Sequence, residues 1–534
     1  MASVEPGRRF DHVVSVMFEN RSFDNLLGRL YGPGEVASFE GVIGKALSNP
    51  IPEWAEHRDA HDSVAYGVAA TMDVPNPDAG EEFAHVNTQL FGVIDPESNR
   101  AVLAEQMTGP YNAPRPGQRP TMDGFVADYI SAYTAEIGRA PTFDEYAQIM
   151  CGYTSEQVPV ISAVARGFAT FDHWHCEVPS QTFTNRSFYH AGTASGFVVN
   201  APYENFPLHN DAETIFERLD AAGLSWKVYV DPGMRMSVTG MIHAARLSKY
   251  FATHFRTLDE FFDDAERGLL PSYSFIEPCL LHAHNDYHPA VNALVPGVSA
   301  DPPSSILGGE ALLARIYTAV RDSETVAGSN FANTLLMVAF DEHGGNYDHV
   351  PPPVADPPHP GGQSGQMGFG FDRLGVRIPT LAVSAYIDRQ TVVTGPYRNT
   401  SLIATLRARW DLGPPLTDRD ATAPDIAAVL TRSKPRPQED WPDVEAPARA
   451  ATRGRARSPG QAAAAAGQIP PGDRDHARHP VHRARARHRS QDRERRAGQR
   501  LHGRPNGQNL SGPGQTTHLT APGLTISAKP VAIS

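Results

Sequence analysis

The stretch TLLMVAFDEHGGNYDH, residues 334–349, decides the fold. Thr334 and six apolar residues in an unbroken run are followed at once by Asp341-Glu342, a Gly-Gly turn and a second polar group ending in Asp348-His349. A continuous apolar run of this length, bounded by turn residues, reads as a strand buried on both faces, the condition of strands in a parallel sheet. In such sheets ligands bind beyond the carboxyl ends of the strands, where the acids after Phe340 lie. The stretch FDHVVSVMFENRSFD, residues 10–24, repeats the pattern: a β-branched run, then Glu19-Asn20.

Outward from these two runs, Ser225–Val230, Ser272–Ile276 and Thr380–Tyr386 read as further strands. Ala212–Ala222, Glu310–Ser323 and Thr400–Trp410 read as helices between them. Strands alternating with helices predict an α/β fold, a sandwich with a central, mostly parallel sheet flanked by helices. Residues 35–150 show few strand signals and many Pro and Gly, so they read as an insertion or cap within a catalytic domain spanning 10–432. Residues 433–534 read as a disordered Pro-, Ala- and Arg-rich tail. Within it, residues 451–510 carry 14 Arg against four acidic residues, whereas the whole chain has a net charge of -13. An acidic body with a basic tail follows, and the tail is expected to be solvated without a specific nucleic-acid partner.

Composition removes several classes. The chain of 534 residues is 40% hydrophobic and 20% charged, which is enough apolar residue for a large core. Three cysteines without a CxxC pair exclude a disulfide scaffold and a zinc ribbon. No apolar run reaches the ~18 residues of a transmembrane helix, and no signal peptide is recognisable, so a cytoplasmic location is expected. There is no Walker-type loop and no HExxH helix. The serine in GTASG is displaced by one position from a nucleophile elbow.

If both deciding strands are central and parallel, Glu19, Asn20, Asp341 and Glu342 converge on one sheet edge. Four oxygen-bearing side chains suit a hard or borderline divalent cation. Acids after strands also solvate loops and cap helices, so the residues alone leave both readings open. In PSQTFTNR, residues 179–186, a hydroxyl stands just ahead of a helix start, where free N–H groups favour phosphate, and Arg186 offers a bidentate contact. The same hydroxyls also suit an N-cap. His282, His284, Asp286 and His288 lie in one short polar segment with metal or proton-transfer chemistry available. His173 and His175 read as partly buried structure.

FDHVVSVMFENRSFDNLLG and FDEHGGNYDHVPPP resemble the two signature motifs of the phosphoesterase family, which contains bacterial phospholipases C and acid phosphatases. TFTNR, SFIEP, NDYHP and MDGFV resemble its shorter motifs, and the resemblance covers roughly residues 10–430. It implies an alkaline-phosphatase-like fold and a metal-dependent phosphoric ester hydrolase with a covalent intermediate. By motif position it implies Glu19, Asn20, Asp341 and Glu342 as metal ligands and Thr182 as nucleophile. His288 and His349 would contact the phosphate or leaving group, and Asn185, Arg186, Asp348 and His85 would bind substrate. The ion would be one of Ca, Mg, Mn, Fe or Zn, and the substrate a small phosphate ester or a phospholipid. The leading expectation is a phospholipase C-like phosphodiesterase. A phosphomonoesterase and an inactive phosphate-binding protein are the alternatives. The sequence departs from the family at three positions: Thr184 replaces a proline, Asn399 replaces a histidine, and Glu81 stands where a histidine is usual, with His85 four positions on.

Overall fold

The computed structural model describes residues 9–58, 61–280, 284–290, 305–359, 361 and 364–447. Its largest sheet has eight strands: β1 His12–Phe18, β2 Ala169–Phe171, β3 Trp226–Val230, β4 Phe255–Thr257, β5 Tyr273–Glu277, β6 Thr334–Phe340, β7 Leu381–Val383 and β8 Thr391–Val393. Their spatial order is β8-β2-β7-β6-β1-β5-β3-β4. β7 alone runs against its neighbours, and every other adjacent pair is parallel. The fold is therefore the expected mixed α/β sandwich. β1 and β6 lie side by side at its centre with Phe18 opposite Phe340. Val13, Val14, Val16, Met17 and Phe18 are fully buried, as are all apolar residues of β6, which explains why neither run alternates.

The helices that cover the sheet include α1 Phe23–Leu26, α2 Phe83–Phe91, α3 Phe125–Ile137, α4 Pro159–Gly167 and α5 Thr182–Ala191. They continue with α6 Ile215–Ala221, α7 Leu258–Glu266, α8 Ile306–Arg321 and α9 Ser401–Trp410. On one face Ser15 Oγ lies 2.7 Å from the Tyr189 hydroxyl of α5. α5 packs with α6 and α9 there. On the other face the Phe18 ring meets Tyr287, whose hydroxyl donates to Glu310 of α8 at 2.6 Å. Glu310 also accepts from the backbone N–H of Val160 and Ile161, so an acid of α8 caps the N-terminus of α4.

Residues 35–150 do contain structure of their own. α2 and α3 pack together through Val86, Leu90, Phe125, Val126 and Tyr129 in an apolar cluster separate from the main core. The two backbones approach closely at Gly124, where a Cβ would stand 1.8 Å from the Thr88 carbonyl oxygen.

Residues beyond the expected boundary at 432 also pack on the body. Trp441 is buried against the rings of Phe168, Tyr317 and Phe331, and Tyr317 donates to the Pro442 carbonyl at 2.8 Å. An aromatic residue among the Pro and Glu of this segment is enough to fasten it to the body. The Arg-rich stretch lies outside the described residues, as does His282. Among the described residues, no helix is long and apolar enough to cross a membrane.

Candidate active site

Because β1 and β6 are parallel neighbours in register, their carboxyl ends deliver Glu19-Asn20 and Asp341-Glu342 to one place. The Asn20 N–H donates to Asp341 Oδ1 at 3.2 Å, and the Glu342 N–H donates to the same oxygen at 2.8 Å. All four residues are at most 5% exposed. The expectation that they converge is met.

The Asn20 amide has a fixed orientation. Its Nδ2 donates to Glu81 Oε2 and to His288 Nε2, the latter at 3.0 Å. His288 Nδ1 faces the Pro289 carbonyl at 2.8 Å, an acceptor only, so Nδ1 carries the ring proton and Nε2 the lone pair. Burial drives His288 down to about 4, with Asp286 opposing, which keeps the ring neutral. Both acceptors are therefore committed, and a flipped amide would set Oδ1 against a carboxylate and an imine nitrogen. Asn20 sits at φ 54, in the left-handed region that asparagine tolerates.

Charge in the cluster is lopsided. Among the described residues one guanidinium, that of Arg186, is in contact; it pairs with Glu19 and reaches Asp341 Oδ2 at 3.3 Å. Burial pushes Asp341 up to about 8, with Glu19 adding and Arg186 opposing. Burial also raises Glu19, against Arg186. Glu342 is raised by burial and then by Glu81 and Asp341; Glu81 is raised by burial and then by Glu82 and Asp78. Asn20 Oδ1, Glu342 Oε1 and Arg186 Nη1 are buried without a hydrogen-bond partner. Two orphaned oxygens amid excess carboxylate suit a bound cation, which would offset the repulsion, although among the described residues no three of Glu19, Glu81, Asp341 and Glu342 bring ligand atoms within 4.8 Å of one another as Asp24, Asp348 and His349 do.

Thr182 is the first residue of α5 and is 7% exposed. Its neighbours on both sides reach the strand-end cluster. Gln181 Nε2 donates to Glu81 Oε1 at 3.2 Å, and Arg186, one turn later, is the cation just described. Thr184 instead donates to the Phe197 carbonyl at 3.0 Å. Ser180 is fully buried. Asn185 was expected at the substrate, but its polar atoms hold the approach to α5. Its Oδ1 accepts from the N–H of Glu177 and Val178, and its Nδ2 donates to the carbonyls of Val178, Ser180 and Gln181. Arg186, also expected at the substrate, is wholly buried against the acids.

Asp348 and His349 are placed in a second group. Arg377 Nε donates to Asp348 at 2.9 Å and its Nη2 to Asp24 at 2.8 Å. His349 Nδ1 lies 2.6 Å from Asp24, and its Nε2 lies 2.8 Å from Glu40 and 2.7 Å from Lys45. Asp24, Asp348 and His349 each offer an atom within 4.8 Å of the others, a group compatible with a divalent cation, though Arg377 already pairs with both carboxylates. Among the described residues no side-chain hydrogen bond or ion pair joins this group to Glu19 or Asp341. The sequence offered no sign of Arg377, which lies far from every motif.

His85 faces Asp128 at 2.8 Å, and although burial opposes its charge, Asp128 holds it up at about 9. Asp128 accepts from Gln89, whose Oε1 meets His343 Nε2 at 2.8 Å. His85 therefore lies behind Glu342, reached through Gln89 and His343. Asn399 donates weakly to the Asp341 carbonyl at 3.4 Å and accepts from Trp174 at 2.8 Å.

Comparison with known proteins identifies the family. The model of the phosphoesterase family matches residues 10–413. The chain is 31% identical to non-specific phospholipase C6 of Arabidopsis thaliana over 456 residues, covering 82% of this chain and 76% of that protein. It is 30% identical to non-specific phospholipase C4 of the same plant, covering 81% and 73%. It is 26% identical to phospholipase C A of Mycobacterium tuberculosis, covering 83% and 81%. The chain thus belongs to the phosphoesterase family and is a phosphoric ester hydrolase.

Proposed function

We propose that the chain is a phospholipase C-like phosphodiesterase that depends on a divalent metal and uses Thr182 as nucleophile. The observation that carries this is the bracketing of Thr182. The residue before it contacts Glu81, which holds Asn20, and the residue one turn after it clasps Glu19 and Asp341. A hydroxyl at the N-terminus of a ten-residue helix, beside a carboxylate cluster with orphaned oxygens, suits attack on a phosphoryl group.

Glu19, Asn20, Asp341 and Glu342 would hold the cation. When bound, it supplies charge stabilisation to the phosphoryl oxygens and lowers the pKa of a nearby hydroxyl. Thr182 Oγ forms a bond to phosphorus as the bond from phosphorus to the departing alcohol oxygen breaks. The threonine proton ends on that alcohol. Water then cleaves the phosphothreonine ester, restoring the hydroxyl and releasing the phosphorylated product. The Phe183 N–H is taken by Asn200 Oδ1 at 2.9 Å, so the remaining N–H groups of the first turn of α5, with the helix dipole, would orient the phosphoryl oxygens. Arg186 holds Glu19 and Asp341 in place rather than touching substrate.

The relatives named phospholipase C support a phospholipid or other diester substrate. The test is steady-state hydrolysis of a chromogenic phosphocholine ester, a simple diester and a monoester, each with metal stripped and restored. Metal-dependent diester turnover that Thr182→Ala reduces by ~10³-fold or more is expected. Full turnover by Thr182→Ala would remove the threonine mechanism, and preference for the monoester would remove the diesterase assignment.

A further inference from the structure

The Asn20 amide can serve a cation only through Oδ1, because nitrogen carries its two hydrogens. What turns Oδ1 toward the orphaned side is the pair of acceptors on Nδ2. One is Glu81 Oε2, and the other is His288 Nε2 at 3.0 Å. The Asn20 backbone N–H is separately tied to Asp341 at 3.2 Å, so only the side-chain rotation is left for the clamp to set. Glu81 is itself anchored, through Gln181 Nε2 at 3.2 Å, to the residue preceding Thr182. His288 is anchored by its backbone N–H on Asp286 at 3.0 Å and by its Nδ1–H on Pro289 at 2.8 Å.

We propose that Glu81 and His288 are positioning residues that lock the Asn20 amide with Oδ1 facing the bound cation. Glu81 touches the nitrogen side of the amide, away from Oδ1, so its task is orientation and not ligation. The demand at position 81 is for a hydrogen-bond acceptor, which a carboxylate meets. Partners that orient a ligand typically change metal affinity by ~10–100-fold when removed. This inference rests on the metal-dependent reading above.

The test is calorimetric titration of the metal-stripped full-length chain with Ca²⁺ and, separately, Mn²⁺. Glu81→Met removes the acceptor and should weaken binding ~10-fold or more. Glu81→Gln keeps an oxygen for Asn20 and should stay within about threefold of the parent. Adding Asn20→Asp to Glu81→Met should restore binding, because either oxygen of an aspartate can face the cation and no amide needs turning. That rescue separates orientation from general damage to the fold. Glu81 is only partly buried, and Glu81→Ala serves as a second truncation. Unchanged affinity in both Glu81→Met and Glu81→Ala overturns the clamp, as does a loss in Glu81→Gln equal to that in Glu81→Met, which would mark Glu81 as a direct ligand. Asn20→Ala is the control on the underlying reading. If it binds both ions as the parent does, the metal site itself fails, whereas loss in Asn20→Ala with none in Glu81→Met defeats the clamp alone.

Discussion

Arg377→Met tests whether the Asp24–Asp348–His349 group is a frame and not part of the chemistry. Arg377 is fully buried and donates to two carboxylates and two carbonyls: Asp348, Asp24, Glu40 and Asp172. Methionine fills similar space but strands Asp348 in the interior without its cation and leaves Asp24 with His349 alone. Breaking a buried pair from one side costs about 3–5 kcal/mol, mainly through the abandoned charge. With an unfolding entropy of about 2.1 cal/mol/K per residue over about 440 residues, that cost lowers the melting midpoint by ~3–5 °C. Circular dichroism melts in chelator-containing buffer read the shift. Asp348→Asn placed on Arg377→Met should recover part of it, because one stranded charge is removed; the pair should be non-additive by about 1 kcal/mol or more. A midpoint within about 1 °C of the parent, or strict additivity, would refute the assignment of Arg377 as the counter-charge.

Two further outcomes follow from the packing. Gly124→Ala drives a methyl to 1.8 Å from the Thr88 carbonyl, so α2 and α3 must separate. A loss of about 1–3 kcal/mol in urea unfolding is expected, with weakened metal affinity, since α2 begins two residues after Glu81; unchanged stability would show that the backbones are not in contact. Glu310 is raised by burial to about 7. The folded chain therefore holds that proton more tightly than the unfolded chain. The resulting stability is fully present below the unfolded pKa of about 4.3 and is lost as pH rises through 7, by about 4 kcal/mol at most. Glu310→Gln should flatten this slope between pH 5 and 8, and an unaltered slope assigns it to other groups.

The long strands were legible because runs of five to seven mostly apolar residues leave few other placements. The three-residue strands Ala169–Phe171, Phe255–Thr257 and Thr391–Val393 were not, since a period of two needs more length to show. The run beginning at Thr380 was readable as a strand, but nothing in it revealed that it runs antiparallel. The meeting of Glu19-Asn20 with Asp341-Glu342 was legible from their place after two strands. Their separation from Asp348-His349 was not. Gly344 and Gly345 both adopt left-handed φ, 58° and 64°, and lie between the acids of β6 and the pair that meets Asp24 and Arg377. Sequence adjacency suggested one site where the backbone builds two groups. Asn185 was expected at the substrate from its motif position, and its amide is taken up by the backbone leading into α5.

The two departures from the family's histidines carry unequal weight. Asn399 lies beneath the site, bridging Trp174 and the Asp341 carbonyl, so an uncharged amide there serves the strand end that carries two acids. Glu81 lies within the cluster and adds a carboxylate to three others served by one guanidinium. An inactive phosphate-binding protein would be poorly served by that addition, because a carboxyl supplies no positive charge to a phosphate ligand and repels it whenever ionised. The same charge is useful where a divalent ion is held and an amide must be turned toward it. The chemistry at position 81 therefore argues for the metal-loaded hydrolase over the inactive binder, and the decisive comparison is phosphate affinity with and without the ion. Phosphate bound equally well by the stripped and the loaded chain would reverse that preference.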